Sequence, residues 1–225
     1  MNTIVKVQNI IKDYGQGDVV VHALRGVTLN IKSGDFTSMA GPSGSGKSTL
    51  LNIIGGLDRP TSGAVEVEGR ATGEMSMTGL SRLRRDRIGF IFQNYSLIPV
   101  LTAMENAEYI LMLQGMPAER RREKIMDLLN QVGLKGMENR FPRELSGGQQ
   151  QRVAIARAIA SEPALVLADE PTANVDSRTA AGILDLMERL NSETGVTFLF
   201  STHDREVMRR AHRLIWLRDG EISED

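Results

Sequence analysis

Residues 41–49 read Gly41-Pro-Ser-Gly-Ser-Gly-Lys-Ser-Thr49, and no other segment limits the fold of this chain so strongly. Gly41, Gly46, Lys47 and Ser48 have the spacing of a phosphate-binding loop, a motif that works only between a strand and a helix. Both flanks comply. Phe36-Thr-Ser-Met-Ala40 is compact and largely apolar, as a buried strand is, and Ser48-Thr-Leu-Leu-Asn-Ile-Ile54 predicts a helix. Glycines let the N–H groups of a loop such as Ser43-Gly44-Ser45-Gly46 wrap phosphate oxygens with no Cβ in the way. The helix beyond the loop points its positive end at them. Lys47 is then placed to neutralise β- and γ-phosphates, Ser48 to offer its hydroxyl to Mg²⁺, and Thr49 to add a phosphate contact. The alternative, a turn that merely happens to be glycine-rich, does not explain Lys-Ser at this offset.

Ala164-Leu-Val-Leu-Ala168 is a short continuous apolar run, the pattern of a strand buried on both faces. It ends in Asp169-Glu170-Pro171. Adjacent carboxylates at the end of a buried strand are costly unless a cation or ligand uses them. Ligands of open α/β sheets collect at that edge. Asp169 therefore reads as a Mg²⁺ ligand acting through water. Glu170 reads as the group that orients or deprotonates a water attacking the γ-phosphate. A solvated strand terminus is the alternative, and the Lys47 loop weighs against it.

A second glycine-rich turn, Leu145-Ser-Gly-Gly-Gln149, stands far from the first. Ser146 has the character of an N-cap for a helix running through Gln149 to Ile159. Its hydroxyl and the open N–H groups behind it make another anion site, and Gly147 and Gly148 permit close approach of a phosphate. An ordinary capped helix start needs no pair of glycines. Two phosphate loops on different lobes cannot easily saturate one nucleotide, but two copies related by a two-fold axis can sandwich two nucleotides.

These residues resemble the ATP-binding subunits of ABC transporters, and the likeness spans essentially the whole chain. Leu145-Ser-Gly-Gly-Gln149 ahead of Arg152-Val-Ala-Ile-Ala-Arg157 is its most specific part. The resemblance implies the ABC ATPase form of the P-loop NTPase α/β fold. That form combines a mostly parallel core sheet, an antiparallel β subdomain and a helical subdomain. It implies ATP and Mg²⁺ as ligands, hydrolysis of ATP, an ATP-dependent homodimer, and an integral membrane permease as a further partner. It also assigns roles: Gln93 to the glutamine loop that contacts Mg²⁺ or water, and Asp176 to the aspartate loop. His203 becomes the switch histidine that reads the γ-phosphate, and Tyr14, expected in a loop Tyr14-Gly-Gln-Gly17, the aromatic that stacks on adenine. Val175 replaces the usual leucine, a tolerable change, and no catalytic position departs from the pattern. Asn52-Ile-Ile-Gly-Gly-Leu-Asp58, Pro60-Thr-Ser-Gly63 and Ile91-Phe-Gln-Asn-Tyr-Ser-Leu-Ile-Pro99 are similar to the lipoprotein-release and macrolide-exporter ATPases, whose permeases transmit force. A cell-division or regulatory ATPase without cargo is the alternative.

Composition narrows the remainder. The 225 residues suffice for a sizeable core, and a net charge of −1 supplies no field to draw the chain to nucleic acid. Cysteine is absent, which removes disulfides and thiolate metal sites. The N-terminus lacks a signal-peptide pattern and no run reaches the about twenty apolar residues of a membrane span. The expectation is a cytoplasmic protein held on the inner membrane face by its permease.

Ile4–Asn9, Val27–Ile31 and Ala64–Val67 alternate apolar with polar residues and predict an antiparallel sheet near the nucleotide base. Thr102–Gln114 predicts one helix, and Pro117 in a first turn opens another that stops at Gly133. Ser177–Leu190 is a later amphipathic helix. Residues 1–93 and 162–225 are thus expected to form the nucleotide-binding core with its β subdomain, and 94–161 a helical subdomain hinged at Gln93. The basic run Arg82–Arg87, interrupted by Asp86 and lacking aromatics, reads as a solvated helix face. Tyr95, Leu97, Ile98, Pro99 and Val100 are either a permease-docking surface or packing between lobes. Trp216, among alternating apolar residues, is expected in the core; His22 and His212 are expected at the surface or in packing.

Overall fold

The computed structural model describes residues 2–16 and 19–223. The chain opens with β1 (Thr3–Gln16), β2 (Val19–Lys32), β3 (Phe36–Ala40) and α1 (Lys47–Ile54). Then come β4 (Ser62–Val67), β5 (Arg70–Ala71), α2 (Met77–Arg87) and β6 (Ile88–Ile91). Three helices follow: α3 (Ala103–Leu113), α4 (Ala118–Gln131) and α5 (Gly147–Ile159). The last part comprises β7 (Leu165–Asp169), α6 (Ser177–Thr194), β8 (Thr197–Thr202), α7 (Arg205–Arg210), β9 (Arg213–Arg218) and β10 (Glu221–Ser223).

Two sheets divide the strands. One has order β2-β1-β4-β5 and is antiparallel; the other has order β10-β9-β3-β8-β7-β6 and is parallel except where β10 meets β9. The central parallel strands β3 and β8 are buried at every position. This is why they read as continuous apolar runs. One face carries Phe36, Phe198 and Phe200, whose rings meet at centroid distances of 5.7 and 4.9 Å. That face is continuous with the interior of α3, α4 and α5 through Ala107, Leu111, Ile125 and Val153. The opposite face packs Met39, Leu167 and Leu199 against α1 and the antiparallel sheet.

The helices begin where their sequence places caps. Thr102 and Glu105 form a reciprocal capping box at α3, and Ser146 with Gln149 forms another at α5. Asp176 caps α6, which ends on Gly195 in the left-handed region at φ 72°. Its buried stripe, Ile183, Leu184, Met187 and Leu190, is that of a helix lying on a sheet. Pro117 occupies the cap position of α4 rather than its first turn.

Three local expectations need correction. The first two strands are far longer than their alternating segments, at 14 residues each. The period of two fails at register shifts around Asn9, which adopts φ 47°. Tyr14 consequently lies on β1 opposite Val21 and not in a loop; Gly17 lies outside the described residues. Trp216 is only half-buried, because β9 stands one strand from the sheet edge. His22 and His212 are exposed, the latter with its ring against Phe36. The basic run lies on α2, where Arg87 pairs with Glu68, Arg85 with Asp86, and Arg84 donates to the Gly56 carbonyl. Among the described residues, no helix is long and apolar enough to cross a membrane.

Candidate nucleotide site

Sheet register gathers the predicted residues at one edge. Ala40 lies beside Thr202, Ser201 beside Asp169, and Ile91 beside Ala168. The ends of β3, β8, β7 and β6 therefore deliver the Gly41 loop, His203, the Asp169-Glu170 pair and Gln93 to a common rim. Gly46 precedes α1 at φ 102°, and a Cβ there would stand 2.6 Å from the Ala23 carbonyl oxygen. Glycine is required on both counts.

Lys47 is buried, and its Nζ donates to the carbonyls of Gly41 and Pro42, each at 2.8 Å. Burial lowers the pKa of this ammonium, while Glu170 and Asp169 pull it back up. The charge is thus folded inward onto its own loop. The Ser45 hydroxyl is buried with no hydrogen-bond partner. An orphaned buried hydroxyl beside an inward-facing ammonium is a cradle suited to an anion.

The acidic end of β7 is organised by a residue that the sequence reading missed. Asp169 Oδ1 accepts from Ser48 Oγ at 3.0 Å and from Ser201 Oγ at 2.6 Å. Ser201 Oγ in turn accepts the Glu170 N–H at 2.9 Å. The sequence signal was faint: a serine closing an otherwise apolar strand. Hard oxygen donors from Ser48 and Asp169, side by side at the loop, fit Mg²⁺. Glu170 adopts φ 48°, a left-handed conformation that a non-glycine residue holds only under constraint. The turn aims its carboxylate at His203, whose Nδ1 lies 2.8 Å away.

Gln93 is exposed, and its carbonyl accepts from Asn174 Nδ2 at 2.9 Å. Tyr95, which also has positive φ, donates its hydroxyl to the Asn174 carbonyl at 3.1 Å. Arg157, its pKa lowered by burial, donates to the Tyr95 and Ser96 carbonyls. Within the 95–100 loop, Leu97 packs on the helical interior and Ile98 N donates to Asn106 Oδ1, whereas Pro99 and Val100 are exposed. Leu97 and Ile98 thus take the packing role, and Pro99 and Val100 remain exposed.

Ser146 is exposed at the start of α5, its Oγ accepting from Gln149 N at 3.3 Å. A Cβ on Gly147 would lie 2.7 Å from the Tyr95 hydroxyl, and one on Gly148 would overlap the Thr179 methyl. The second turn thus packs on the segment that follows Glu170 in its own chain. Asp176 accepts from the Thr179 N–H at 3.0 Å and hydroxyl at 2.6 Å, which holds its pKa down. Tyr14 donates to Asp58 Oδ2 at 2.7 Å, so the aromatic side chain is anchored beside α1. Burial and the Asp58 carboxylate raise the pKa of this phenol, and Thr49 lies in the first turn of α1.

Residues 24–173 match the family described as ABC transporter. The chain is 47% identical to the uncharacterized ABC transporter ATP-binding protein MJ0796 of Methanocaldococcus jannaschii, over 99% of this chain and 96% of that protein. A dimeric, post-hydrolysis structure of the MJ0796 cassette, bound to ADP and Pi, is similar with a TM-score of 0.92. That likeness has 47% identity and covers 98% of this chain and 97% of the other. The lipoprotein-releasing system ATP-binding protein LolD 1 of Rhodopseudomonas palustris is 44% identical, with 99% of this chain and 100% of LolD 1 covered. The macrolide export ATP-binding/permease protein MacB of Mannheimia succiniciproducens is 43% identical across 99% of this chain, which spans 34% of that longer protein.

Proposed function

The chain belongs to the ABC transporter family, and from that premise we propose how its residues hydrolyse ATP and drive a separate membrane permease. It is an ATPase subunit whose working unit is a homodimer. The reading of its site rests above all on one observation. Glu170 is held at the end of β7 in a left-handed turn, hydrogen-bonded to His203, beside an Asp169 that already engages the Ser48 hydroxyl.

ATP enters with its base against Tyr14 and its phosphates in the loop from Gly41 through Ser43, Gly44, Ser45 and Gly46 to Thr49. Lys47 exchanges its two carbonyl partners for β- and γ-phosphate oxygens, an exchange of like bonds that costs little reorganisation. Ser48, Asp169 and Gln93 would hold Mg²⁺, which supplies neutralisation of phosphate charge. Ser146, with the N–H groups of Gly147, Gly148 and Gln149, would close on the γ-phosphate bound by the other copy, and Asp176 would face across the same interface. Glu170 accepts a proton as the water oxygen bonds to the γ-phosphorus and the bond to the ADP oxygen breaks. His203 donates to the γ-phosphate. Departure of the cleaved phosphate withdraws the γ-phosphate contacts that joined the copies, and the dimer opens.

The finer assignments follow from the same surfaces. The core comprises 1–93 and 162–225 and the helical subdomain 94–161, with Gln93 as the hinge between them. A groove of about 330 Å³ lined by Leu57, Phe90, Phe92, Tyr109 and Leu113 opens next to Gln93. Together with the exposed Pro99 and Val100 it would seat a cytoplasmic helix of the permease. The kinship to LolD 1 and MacB favours a force-transmitting permease of the lipoprotein-release or macrolide-export kind. The subunit would then sit peripherally on the cytoplasmic face of the membrane. The test is Glu170→Gln, followed by phosphate release and sedimentation with Mg-ATP. Retained binding, lost turnover and a stable dimer are expected, and a monomer with normal turnover overturns the proposal.

A further inference from the structure

The stacking assignment for Tyr14 leaves open what holds that ring ready on a surface strand. Tyr14 is 40% exposed, and an exposed tyrosine ordinarily samples several rotamers. Here it has fixed partners. Its hydroxyl donates to Asp58 Oδ2 at 2.7 Å, and the Lys12 ammonium stands 4.6 Å over its ring centroid. Lys12 Nζ also donates to Asp58 Oδ1 and to the Arg59 carbonyl, both at 2.8 Å. The turn is tied to β1 by its main chain as well: Thr61 N donates to the Ile11 carbonyl at 2.8 Å, and Asp13 N donates to Thr61 Oγ1 at 2.9 Å.

The turn carrying Asp58 is the continuation of α1. The N–H groups of Leu57 and Asp58 donate to the Asn52 carbonyl at 2.8 and 3.2 Å. The helix that starts with Lys47 thus leads directly to the carboxylate that anchors Tyr14. Eight residues of helix make a rigid spacer of about 12 Å. Lys12 occupies one face of the ring, so a base can stack only on the other.

We propose that Asp58, assisted by Lys12, is a positioning residue for the nucleotide base: it fixes Tyr14 as a one-sided stacking platform at a set distance from the Lys47 loop. This rests on Tyr14 being the residue that stacks on the base. Asp58 is suited to the task because it is firmly ionised. Burial opposes ionisation, but bonds from Lys12, Tyr14 and the Arg59 N–H outweigh that and hold its pKa down. An ionised carboxylate accepting both groups costs the ring its rotamer freedom before the nucleotide arrives, so less is lost on binding.

The test compares Asp58→Asn, Tyr14→Phe, their double variant and Tyr14→Ala, reading KM and kcat for Mg-ATP together with binding of magnesium tripolyphosphate, which has no base. Asp58→Asn and Tyr14→Phe should each raise KM by up to about tenfold with kcat kept, the size of a good aromatic contact. The double variant should do no worse than either single one, and tripolyphosphate binding should not move. Tyr14→Phe keeps the Lys12–Asp58 pair, so it still decides the matter if Asp58→Asn folds poorly. A wild-type KM for both Asp58→Asn and Tyr14→Phe, with a raised KM in Tyr14→Ala, overturns the positioning role and leaves stacking intact. A wild-type KM in Tyr14→Ala overturns stacking and the inference with it. Equal weakening of tripolyphosphate would place the effect in α1 and also overturn the inference.

Discussion

Nδ1 of His203 lies 2.8 Å from a Glu170 carboxylate oxygen, so the two groups proposed to face the γ-phosphate are bonded to each other. In the proposed mechanism, ATP binding exchanges this bond for contacts with water and phosphate. Glu170→Gln keeps a hydrogen-bonding group there but cannot take a proton. Turnover should fall about 10²–10⁴-fold while Mg-ATP affinity is retained. Phosphate release measures the first and equilibrium binding the second. Turnover within threefold of wild type would remove Glu170 from the reaction.

Ser201 holds both acids. Its hydroxyl donates to Asp169 and accepts the Glu170 N–H, so Ser201→Ala leaves a part-buried N–H unpaired and frees the Asp169 carboxylate. The unpaired group costs about 1–3 kcal/mol of stability. Because Asp169 also engages Ser48, the half-saturating Mg²⁺ concentration should rise together with a fall in kcat. A variant that melts earlier but shows unchanged Mg²⁺ dependence would reduce Ser201 to a packing role.

Glu68 supplies a pH test. Its hydrogen bond from Arg87 lowers its pKa below the ordinary 4.5, against an opposing effect of burial. A carboxylate depressed in the folded state stabilises the fold above its unfolded pKa, and this contribution fades as pH falls through the folded value. Glu68→Gln should therefore melt earlier than wild type at neutral pH. The two melting curves should converge progressively below about pH 4.5. A difference in melting temperature that is independent of pH would mean the ion pair is not the source.

How much of this was legible depends on sequence distance. Lys47 and Ser48, Asp169 and Glu170, and the capping pairs Thr102/Glu105 and Ser146/Gln149 are local patterns, and they fold as their spacing requires. Most helix limits followed for the same reason, but α6 runs on to Thr194, past the expected Leu190, because Gly195 rather than Leu190 ends it, and Pro117 caps α4 instead of entering it. Tyr14 and Asp58 are 44 residues apart, and Asp169 and Ser201 are 32 apart; sheet register unites the second pair, and the first meets where the turn after α1 is tied to β1. The reach of β1 and β2 was hidden because the register shifts near Asn9 break the alternation that marks a strand. Tyr14 was misplaced into a loop on the strength of neighbouring glycines, whereas pairing with Val21 carries the ladder on through Gly15.

Gly148 offers the last test, because its lack of a side chain has two possible uses. Close approach of a partner's phosphate would need an open outer surface. The direction of its missing Cβ is instead inward, onto the Thr179 methyl. Gly148→Ala should thus destabilise the monomer by overpacking, about 1–3 kcal/mol, offset by up to about 1 kcal/mol of helix propensity. Thr179→Ser removes the methyl while keeping the hydroxyl and N–H bonds to Asp176. If the clash is the whole effect, Gly148→Ala combined with Thr179→Ser should recover both the melting temperature and the ATP-driven dimer in a Glu170→Gln background. Recovery of stability without recovery of the dimer would show that Gly148 has a use in the dimer beyond its fit against Thr179.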